Sequence, residues 1–214
     1  MPQQLLEGAP APPPPTVKAP KPPKRDIPLA LAENAANLVK GIIERDWGER
    51  VVVTIAGSIR RRRPVVHDVD IVVLVDKLAA DDVIPGITKT CLPHTAEGKM
   101  RLDGSKLKAF PLAIQFHSVP AEFTEWSGDQ VIPVELYITT EPNHWATILL
   151  IRTGSKDHNI KLTKRAQDKG WMLRAEGQGV VDNHGNGRVL AFASEEDILG
   201  ILDCDHVAPE TREA

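Results

Sequence analysis

Cysteine is scarce in this chain, which has only Cys91 and Cys204 among its 214 residues. The two lie far apart, so they provide neither a disulfide framework nor the paired spacing of a zinc site. No apolar run approaches the roughly 20 residues that a membrane-spanning helix needs. The first residues also lack the charged-then-apolar layout of a secretory signal. These absences predict an intracellular protein, cytoplasmic or associated with the nucleoid, that is not secreted and uses no membrane.

An overall basic charge is also lacking, since the formal net charge is −3. The average conceals a segregation of charge along the chain. Residues 151–174 carry seven lysines and arginines against two aspartates, whereas residues 176–214 carry nine acidic residues against two arginines. Local basic surfaces, and not the total charge, set the affinity for phosphate. The composition therefore permits nucleic-acid binding through part of the surface.

Proline is concentrated at the start of the chain, where residues 1–26 hold half of the 18 prolines. Such a segment cannot form a packed core, so we expect an extended tail of the polyproline type. Its Pro-x-x-Pro spacings would suit a protein partner with an aromatic groove. The rest of the chain, at an overall 42% hydrophobic composition, is long enough for one or two small domains. We expect a monomer.

Hydrophobic patterns predict the main elements. Strands are expected at residues 51–56, Val69–Val75, 110–117 and Val131–Thr139, with a loop around Trp126. A first helix should start near Pro28, with Asp26 as candidate cap. Its helically spaced apolar residues, expected to pack on a sheet, are Leu31, Ala35, Leu38 and Ile42. Residues 77–105 give no clear pattern and are interpreted as mixed loops with a short strand.

Towards the C-terminus the signals are mostly caps and turns. Asn143 is expected to cap a helix over residues 144–151, and a longer helix should run to Lys169 and stop at Gly170. Residues 182–187 predict a turn between short strands. Residues 194–197 match a capping box that opens a last short helix.

The most informative stretch begins with Gly57-Ser58, followed ten residues after the serine by Asp68-Val69-Asp70. Side chains alternate faces along a strand, so the two aspartates point the same way. Neighbouring carboxylates repel unless a cation lies between them, and an oxygen-rich site suits Mg²⁺. A Gly-Ser turn at a helix start offers free N–H groups and a hydroxyl to phosphate. This combination is typical of phosphoryl transfer.

The arrangement resembles the palm of nucleotidyltransferases, specifically that of the family X DNA polymerases, the DNA polymerase beta-like group. A second block strengthens the resemblance. The stretch 132–137 lies where that family places its third catalytic carboxylate, here Glu135, and Thr153-Gly154-Ser155 matches the motif that opens its thumb. The asparagine four residues beyond the serine, Asn159, matches as well. The resemblance covers roughly residues 50–76 and 130–213.

By this resemblance the fold class is α+β, a minimal form with a palm of mixed strands and flanking helices followed by a small α+β thumb. The implied domains are a tail at 1–26, a palm at 27–150 and a thumb at 151–214. The implied activity is that of a DNA polymerase, which adds dNMP from dNTP to a 3′-hydroxyl of a DNA primer or DNA end, with a role in DNA repair. The implied cofactor is a pair of Mg²⁺ ions, with Mn²⁺ as a substitute.

The resemblance also assigns site residues. The metal-binding, catalytic carboxylates would be Asp68, Asp70 and Glu135. The nucleotide would be bound by Gly57, Ser58, Arg61, Gly154, Ser155 and Asn159. The DNA would be contacted by Lys161, Thr163, Lys164 and Arg165.

Three departures from the family pattern bear on these assignments. The family usually has aspartate where this chain has Glu135, which keeps the charge but adds a methylene. The usual aromatic pair before Thr-Gly-Ser, which helps to exclude ribose, is here Ile151-Arg152, so weak sugar discrimination is expected. The interval from Glu135 to Thr153 is one residue longer than usual. The loop near residues 141–143 should absorb this insertion.

Two other functions remain open at this stage. A small RNA- or protein-modifying nucleotidyltransferase of the antitoxin type shares Gly-Ser and Asp-x-Asp, although the Thr-Gly-Ser thumb speaks against it. A non-catalytic module that binds DNA ends would keep the fold without the reaction. Glu135 supports that alternative, and the intact Asp68 and Asp70 oppose it.

Overall fold

A computed structural model gives the fold. It describes residues 25–91, 101–103, 106–108, 110–113, 131–175, 177–182, 187–191 and 194–212. Within these ranges no helix is both long enough and apolar enough to cross a bilayer. The expected tail, apart from residues 25 and 26, and the loop around Trp126 lie outside the described residues.

In chain order, the strands of the described residues are β1 (Ile27–Pro28), β2 (Val51–Ile55), β3 (Val65–Val66), β4 (Val69–Val75), β5 (Arg101–Asp103), β6 (Lys106–Lys108), β7 (Phe110–Ala113), β8 (Val131–Thr139), β9 (Trp171–Arg174), β10 (Gly179–Asp182) and β11 (Val189–Ala191). The helices are α1 (Leu29–Trp47), α2 (Gly57–Arg60), α3 (Ala80–Cys91), α4 (Pro142–Thr153), α5 (Lys156–Asp168) and α6 (Glu195–Ile201). Short 3₁₀ turns lie at Gly48–Arg50, Lys77–Ala79 and Pro209–Thr211. The α+β class predicted from the sequence is confirmed.

The larger sheet has the order β2-β4-β8-β7. Strand β4 pairs antiparallel with β2 and parallel with β8, and β7 pairs antiparallel with β8. The predicted strands at Val69–Val75 and Val131–Thr139 are confirmed, and the one at 51–56 ends one residue earlier. Of the strand predicted at 110–117, the structure describes β7 alone. Strand β4 is buried on both faces, which explains its nearly continuous run of valine and isoleucine.

Helices α1 and α3 pack on one face of this sheet and close the larger hydrophobic core. Leu31, Ala35 and Ile42 are buried as predicted, but the prediction was wrong for Leu38, which is 52% exposed. The Asp26 cap was also wrong. Pro28 occupies the N-cap position without a side-chain cap, and Asp26 instead contacts the His67 ring at 3.1 Å.

Lys40 of α1 reaches over to the outer strand of the sheet. Its Nζ donates to the backbone carbonyl of Val53 at 2.7 Å and pairs with Glu44 at 2.5 Å. Strand β2 stands at the end of the sheet order, so this lysine satisfies an acceptor on an edge that has no neighbouring strand among the described residues.

The interpretation of residues 77–105 as loops was wrong, because Ala80–Cys91 forms helix α3. Pro85 lies inside that helix, and a proline without an N–H ordinarily signals a helix end. The apolar residues Val83, Ile87 and Cys91 nevertheless recur at helical spacing and are buried in the core. The expected short strand is present as β5.

Helix α4 lies between two groups of apolar side chains. Ile148 and Leu149 pack with Val72 and Tyr137 on the second face of the sheet. Ala146 and Leu150 pack with the C-terminal apolar cluster. Asn143 was predicted to cap this helix, and that prediction was wrong. The helix begins at Pro142, with Glu141 as N-cap, so Asn143 lies inside it. Proline is well suited to that first position, because its missing N–H is not needed there.

The C-terminal part combines α5, the antiparallel sheet β11-β10-β9 and α6. Helix α5 ends at Asp168, one residue before the predicted end, and Gly170 follows in the left-handed region at φ 73°. The capping box is confirmed, since Ser194 accepts from Asp197 N and the Asp197 carboxylate accepts from Ser194 N. Strands β10 and β11 pair antiparallel, as the predicted turn requires, and residues 183–186 of that turn lie outside the described residues.

A buried triad of charged side chains connects helix α2 with the C-terminal part of the chain. The Glu195 carboxylate accepts two hydrogen bonds from Arg60 at 2.8 and 2.9 Å and two from Arg212 at 3.2 Å. Glu195 and Arg212 are only 7% and 2% exposed. Burial by itself would raise the pKa of Glu195, but the two guanidinium groups outweigh it and hold that pKa below its ordinary value. The triad therefore stays charged at neutral pH.

Replacing Glu195 by glutamine should destabilise the fold, because two guanidinium groups then lose their counter-charge in a buried place. The expected loss is about 3 kcal/mol in the free energy of unfolding. Urea denaturation followed by circular dichroism measures it. Glu196→Gln is the matched control, since Glu196 is exposed and its ion pair with His206 lies at the surface, and it should change stability by less than about 0.5 kcal/mol. Equal effects of the two substitutions would contradict the role given to the triad.

Candidate functional site

The three predicted carboxylates lie where β4 begins and β8 passes beside it. Asp68 immediately precedes β4, and Asp70 is its second residue. Strands β4 and β8 run parallel with Asp70 paired to Glu135 in the register. Because paired residues of neighbouring strands project from the same face, the sheet brings Asp70 and Glu135 together although 65 positions of sequence separate them. All three are partly buried.

Gly57 closes this end of the site. The backbone N–H of Ala56 donates to the Asp70 carbonyl at 2.8 Å, which fixes the turn after β2 against β4. Gly57 itself has φ +63°, and a Cβ at this position would collide with Asp70 Oδ2. Only glycine permits both the left-handed backbone and the close approach of the carboxylate. Ser58, predicted to bind phosphate, follows directly in the short helix α2.

The surroundings of Asp70 disfavour the charged form of its carboxyl group. Burial, followed by the charges of Asp68 and Glu135, raises its pKa from an ordinary 3.8 to about 7. The nearby Arg152 charge and the Tyr137 hydroxyl oppose this increase only in part. Carboxylates gathered in this way bind either protons or a cation.

Glu135 is held by the single tyrosine of the chain. The Tyr137 hydroxyl donates a short hydrogen bond to Glu135 Oε2. Burial, the Asp70 charge and this hydrogen bond raise the pKa of Tyr137 above its ordinary value, so the phenol stays a donor. The Arg152 guanidinium covers the Tyr137 ring, with Cζ 4.0 Å from the ring centroid, and supplies a positive charge beside the carboxylates.

The donor set fits a hard divalent cation, because it consists of carboxylate oxygens whose mutual repulsion raises the pKa of Asp70. As they stand, however, no three His, Cys, Asp or Glu side chains of the described residues surround a common point that could hold a metal ion. Glu135 keeps one oxygen on Tyr137 in this arrangement. The assignment of these residues as metal ligands therefore stays a prediction.

A cavity of about 780 Å³ lies between the end of α4 and helix α5. Three residues predicted to bind nucleotide line it, namely Arg61, Gly154 and Asn159. Thr163 and Lys164, predicted to contact DNA, line it as well. Ile151, Arg152 and Lys156, which the sequence did not single out as ligands, also line it. With four cations against Asp168, the cavity suits a polyanion.

Hydrogen bonds and the backbone conformation fix residues 153–155, at the end of α4. Arg61 Nη1 donates a short hydrogen bond to the Thr153 carbonyl. Gly154 has φ +73°, and a Cβ there would approach Arg61 Nη1 to 3.1 Å, so glycine is needed in this position as well. The Gly154–Ser155 peptide bond is cis. Ser155 caps α5 by accepting from His158 N, and its hydroxyl donates to the Arg212 carbonyl at 2.7 Å.

The predicted DNA-binding residues fall on two sides of α5. Thr163 faces the cavity, and its hydroxyl donates to the Asn159 carbonyl at 2.8 Å. Lys161 and Arg165 line a second groove of about 590 Å³, between α5 and residues 203–212. Lys164 borders both spaces. The structure thus brings Lys161, Lys164 and Arg165 together and leaves Thr163 apart from Lys161 and Arg165.

Tyr137, Arg152 and Lys156 are the site residues that sequence reasoning missed. The sequence did carry a signal for Arg152, because it stands where the family has an aromatic residue. Lys156 also gives a signal, since a lysine in the first turn of a helix opposes the helix dipole and suggests an anionic neighbour. For Tyr137 there was no such signal, since its contact with Glu135 depends on the i, i+2 geometry of β8 and on both side chains sharing one face.

The raised pKa of Asp70 predicts a stability that depends on pH. With a folded pKa of about 7 against an ordinary 3.8, this contribution is complete below about pH 4 and is lost as the pH rises through 7. In EDTA, Asp70→Asn should therefore raise the free energy of unfolding at pH 8 by about 2–4 kcal/mol, and by much less at pH 5. Urea denaturation at both pH values measures it.

The control for that experiment is Asp82→Asn, which removes an exposed carboxylate of α3. It should have little effect at either pH. Added Mg²⁺ should stabilise the wild type at pH 8 and leave Asp70→Asn nearly unchanged, since the cation and the substitution relieve the same repulsion. A wild type that is as stable as Asp70→Asn at pH 8 in EDTA would argue against crowding of these carboxylates.

Comparison with known protein families gives a match in the C-terminal part of the chain. Residues 148–213 match the family model of the DNA polymerase beta thumb. Among curated proteins, the DNA polymerase/3′-5′ exonuclease PolX of Bacillus subtilis is 26% identical over 159 residues, which cover 74% of this chain. The match spans only 24% of the length of that relative.

Two solved structures of Leishmania infantum polymerase beta share the fold. A ternary P/T complex matches with a TM-score of 0.66 at 19% identity, covering 89% of this chain and 77% of that one. A ternary gap complex matches with the same TM-score at 17% identity, covering 89% of this chain and 71% of that one. The α+β architecture with a palm and a thumb is therefore confirmed, and the chain is similar to the family X DNA polymerases.

Proposed function

We propose that this protein is a nucleotidyltransferase that adds a nucleoside monophosphate to the 3′-hydroxyl of a DNA primer or DNA end. One observation carries the proposal: beside the Gly57-Ser58 turn, Asp70 is paired with Glu135 and feels the charge of Asp68. Arg152, whose charge also acts on Asp70, lines a cation-rich cavity along helix α5. The similarity of residues 148–213 to the polymerase beta thumb supports it.

In the proposed reaction the primer 3′-oxygen forms a bond to the α-phosphorus of a nucleoside triphosphate. The bond between that phosphorus and the bridging oxygen of the β-phosphate breaks, pyrophosphate leaves, and the proton of the 3′-hydroxyl is lost. Two Mg²⁺ ions, or Mn²⁺ in their place, would lower the pKa of the attacking hydroxyl and stabilise the leaving group. Asp68, Asp70 and Glu135 would hold them.

The remaining residues would bind and orient the substrates. Ser58 and the amides after Gly57 would hold the outer phosphates, assisted by Arg61. Gly154 and Ser155 would shape the wall of the pocket, and Asn159 would contact the nucleotide from α5. Lys161, Lys164 and Arg165 would face the phosphates of the DNA strands.

We further propose a palm at residues 27–150 and a thumb at 151–214. This boundary falls inside α4 (Pro142–Thr153), whose two buried sides contact the sheet and the C-terminal cluster. The helix would thus transmit the position of the thumb to the carboxylates through Tyr137, which it covers. A role in DNA repair and a protein partner for the tail at 1–26 complete the proposal.

A non-catalytic module that binds DNA ends is the second candidate. The observation that favours it is the engagement of Glu135 with Tyr137, together with the lack of a ready metal-binding trio among the described residues. The raised pKa of Asp70 favours catalysis, since crowded carboxylates with perturbed pKa values are typical of sites that carry out chemistry and a protein that only binds DNA has no use for them. The thumb match speaks against an enzyme of the antitoxin type.

Removal of Asp70 should abolish incorporation. Loss of partners beyond the direct ligands of a metal already costs roughly 10–100-fold, so Asp70→Ala should lower the rate by more than that. Primer extension with labelled DNA, each nucleotide and Mg²⁺ or Mn²⁺ measures the rate. The control Asp82→Ala should behave as wild type. An inactive wild type that still binds DNA ends would favour the second candidate.

Neutralising Lys161 or Lys164 should weaken DNA binding for all sequences alike. Each lysine that contacts a phosphate contributes a slope of about −0.9 to the dependence of log K on log salt. Lys161→Gln and Lys164→Gln should each flatten the slope by about that amount in fluorescence anisotropy titrations. Lys89→Gln on α3, far in sequence from the thumb, serves as the control. A loss confined to particular base sequences would count against phosphate contacts.

A further inference from the structure

The groove between α5 and residues 203–212 has a volume of about 590 Å³. It adjoins the cavity on the other side of the helix, because Lys164 and Asp168 border both spaces. Its size is that of a pocket for a small molecule or for part of a larger one. A single strand of nucleic acid can therefore enter it, whereas a duplex, whose major groove alone is about 12 Å wide, is too broad.

One wall of the groove is cationic. Lys161, Lys164 and Arg165 stand three and four positions apart on α5, so they share one face of the helix. All three are exposed, and none has an ion pair with another described residue. Asp168 lies one turn further along and leaves this wall with a net positive charge. Phosphate groups of a DNA strand would supply the counter-charge.

The wall opposite α5 carries carboxylates. Asp203 and Asp205 line it, and both are exposed. Lys169 pairs with Asp203 at 2.5 Å, and this contact holds the pKa of Asp203 below its ordinary value. Asp205 is left without such a pair within the described part of the chain. A carboxylate repels phosphate but accepts hydrogen bonds from the amino groups of bases, as aspartate does from N4 of cytosine.

The two walls stay apart although their charges attract each other. The charge of Arg165 contributes to the lowered pKa of Asp203, which nevertheless has its ion pair with Lys169. Space therefore remains between the walls. The lining also has an apolar part, which consists of the buried Leu162 and the half-buried Cys204 and Val207.

These three parts complement a nucleotide unit. The cationic wall suits the phosphate, the apolar part suits the flat face of the base, and the carboxylate wall suits an exocyclic amino group. Cytosine, adenine and guanine carry such an amino group. Thymine instead presents O4, an acceptor that a carboxylate repels. Because Lys164 borders both spaces, a strand that leaves the cavity along α5 reaches this groove next.

We propose that this groove is a second DNA site, which takes an unpaired nucleotide of the template strand beyond the cavity. The phosphates of that strand lie on Lys161, Lys164 and Arg165, and Asp205 accepts a hydrogen bond from the amino group of the base. The inference rests on the proposed nucleotidyl transfer. It adds a preference for single-stranded template segments whose bases carry amino groups.

Equilibrium binding of DNA hairpins to the full chain tests the inference without turnover. Three hairpins share one duplex and end bluntly, in a 5′ overhang of six cytosines, or in a 5′ overhang of six thymines. In fluorescence anisotropy titrations the cytosine overhang should bind about tenfold tighter than the blunt hairpin. It should also bind about threefold tighter than the thymine overhang, since thymine lacks the amino group.

Substitutions on each wall should act differently. Arg165→Gln should weaken both overhang hairpins about tenfold and change the blunt hairpin by less than about twofold. Its control is Arg174→Gln, which removes an exposed cation of β9 outside the groove. Asp205→Ala should bring the cytosine and thymine overhangs within about twofold of each other. Glu210→Ala, which removes an exposed carboxylate of the same segment outside the groove, should keep the preference.

Primer extension on the two overhang hairpins separates this inference from the proposed reaction. Equal binding of blunt and overhang hairpins, or of cytosine and thymine overhangs, would overturn the inference, and extension of the hairpins would then leave the proposed transferase intact. A loss in Arg165→Gln that the blunt hairpin shares would overturn it as well. The expected binding pattern without extension would keep the groove as a DNA site and remove the proposed reaction. Failure to bind any hairpin would remove both. Circular dichroism checks that the variants fold.

Discussion

Electrostatic repulsion between carboxylates is the constraint around which the centre of this protein is organised. The parallel pairing of β4 with β8 places Asp70 opposite Glu135, and Asp68 adds a third charge at the same end. Each neighbour can be understood as a response to this crowding. Gly57 gives room to the Asp70 carboxylate, Tyr137 donates to Glu135, and Arg152 brings a positive charge.

The second organising element is helix α4. It is apolar on two sides because it belongs to two cores, one on the sheet and one with the C-terminal cluster. Its last residues reach the cavity, and the carbonyl of Thr153 holds Arg61. The triad of Glu195 with Arg60 and Arg212 also holds the end of α4. Its Arg60 donates a hydrogen bond to the Thr153 hydroxyl at 2.8 Å. The position of Arg61 thus depends on contacts made by its neighbour in α2.

Much of the fold and the outline of the site could be predicted from the sequence. Strands β4 and β8 are runs of β-branched residues, and Gly57-Ser58 with Asp-x-Asp is a local pattern, so neither required tertiary information. Helix α3 escaped prediction because Pro85 obscures a pattern that tertiary burial supports. Leu38 follows the helical period but lies beyond the width of the buried face. The link from Arg152 through Tyr137 to Glu135 depends on how α4 packs over the sheet, and periodicity cannot supply that.

The contact between Lys40 and Val53 has a consequence for how copies of this protein meet. An outer strand with open peptide groups can accept a strand from another molecule and so begin an aggregate. Here one carbonyl of β2 already holds an ammonium donor. A second apolar strand would also have to pack beside the ion pair of Lys40 with Glu44, which disfavours its addition at Val51–Ile55, the end of the sheet within the described residues.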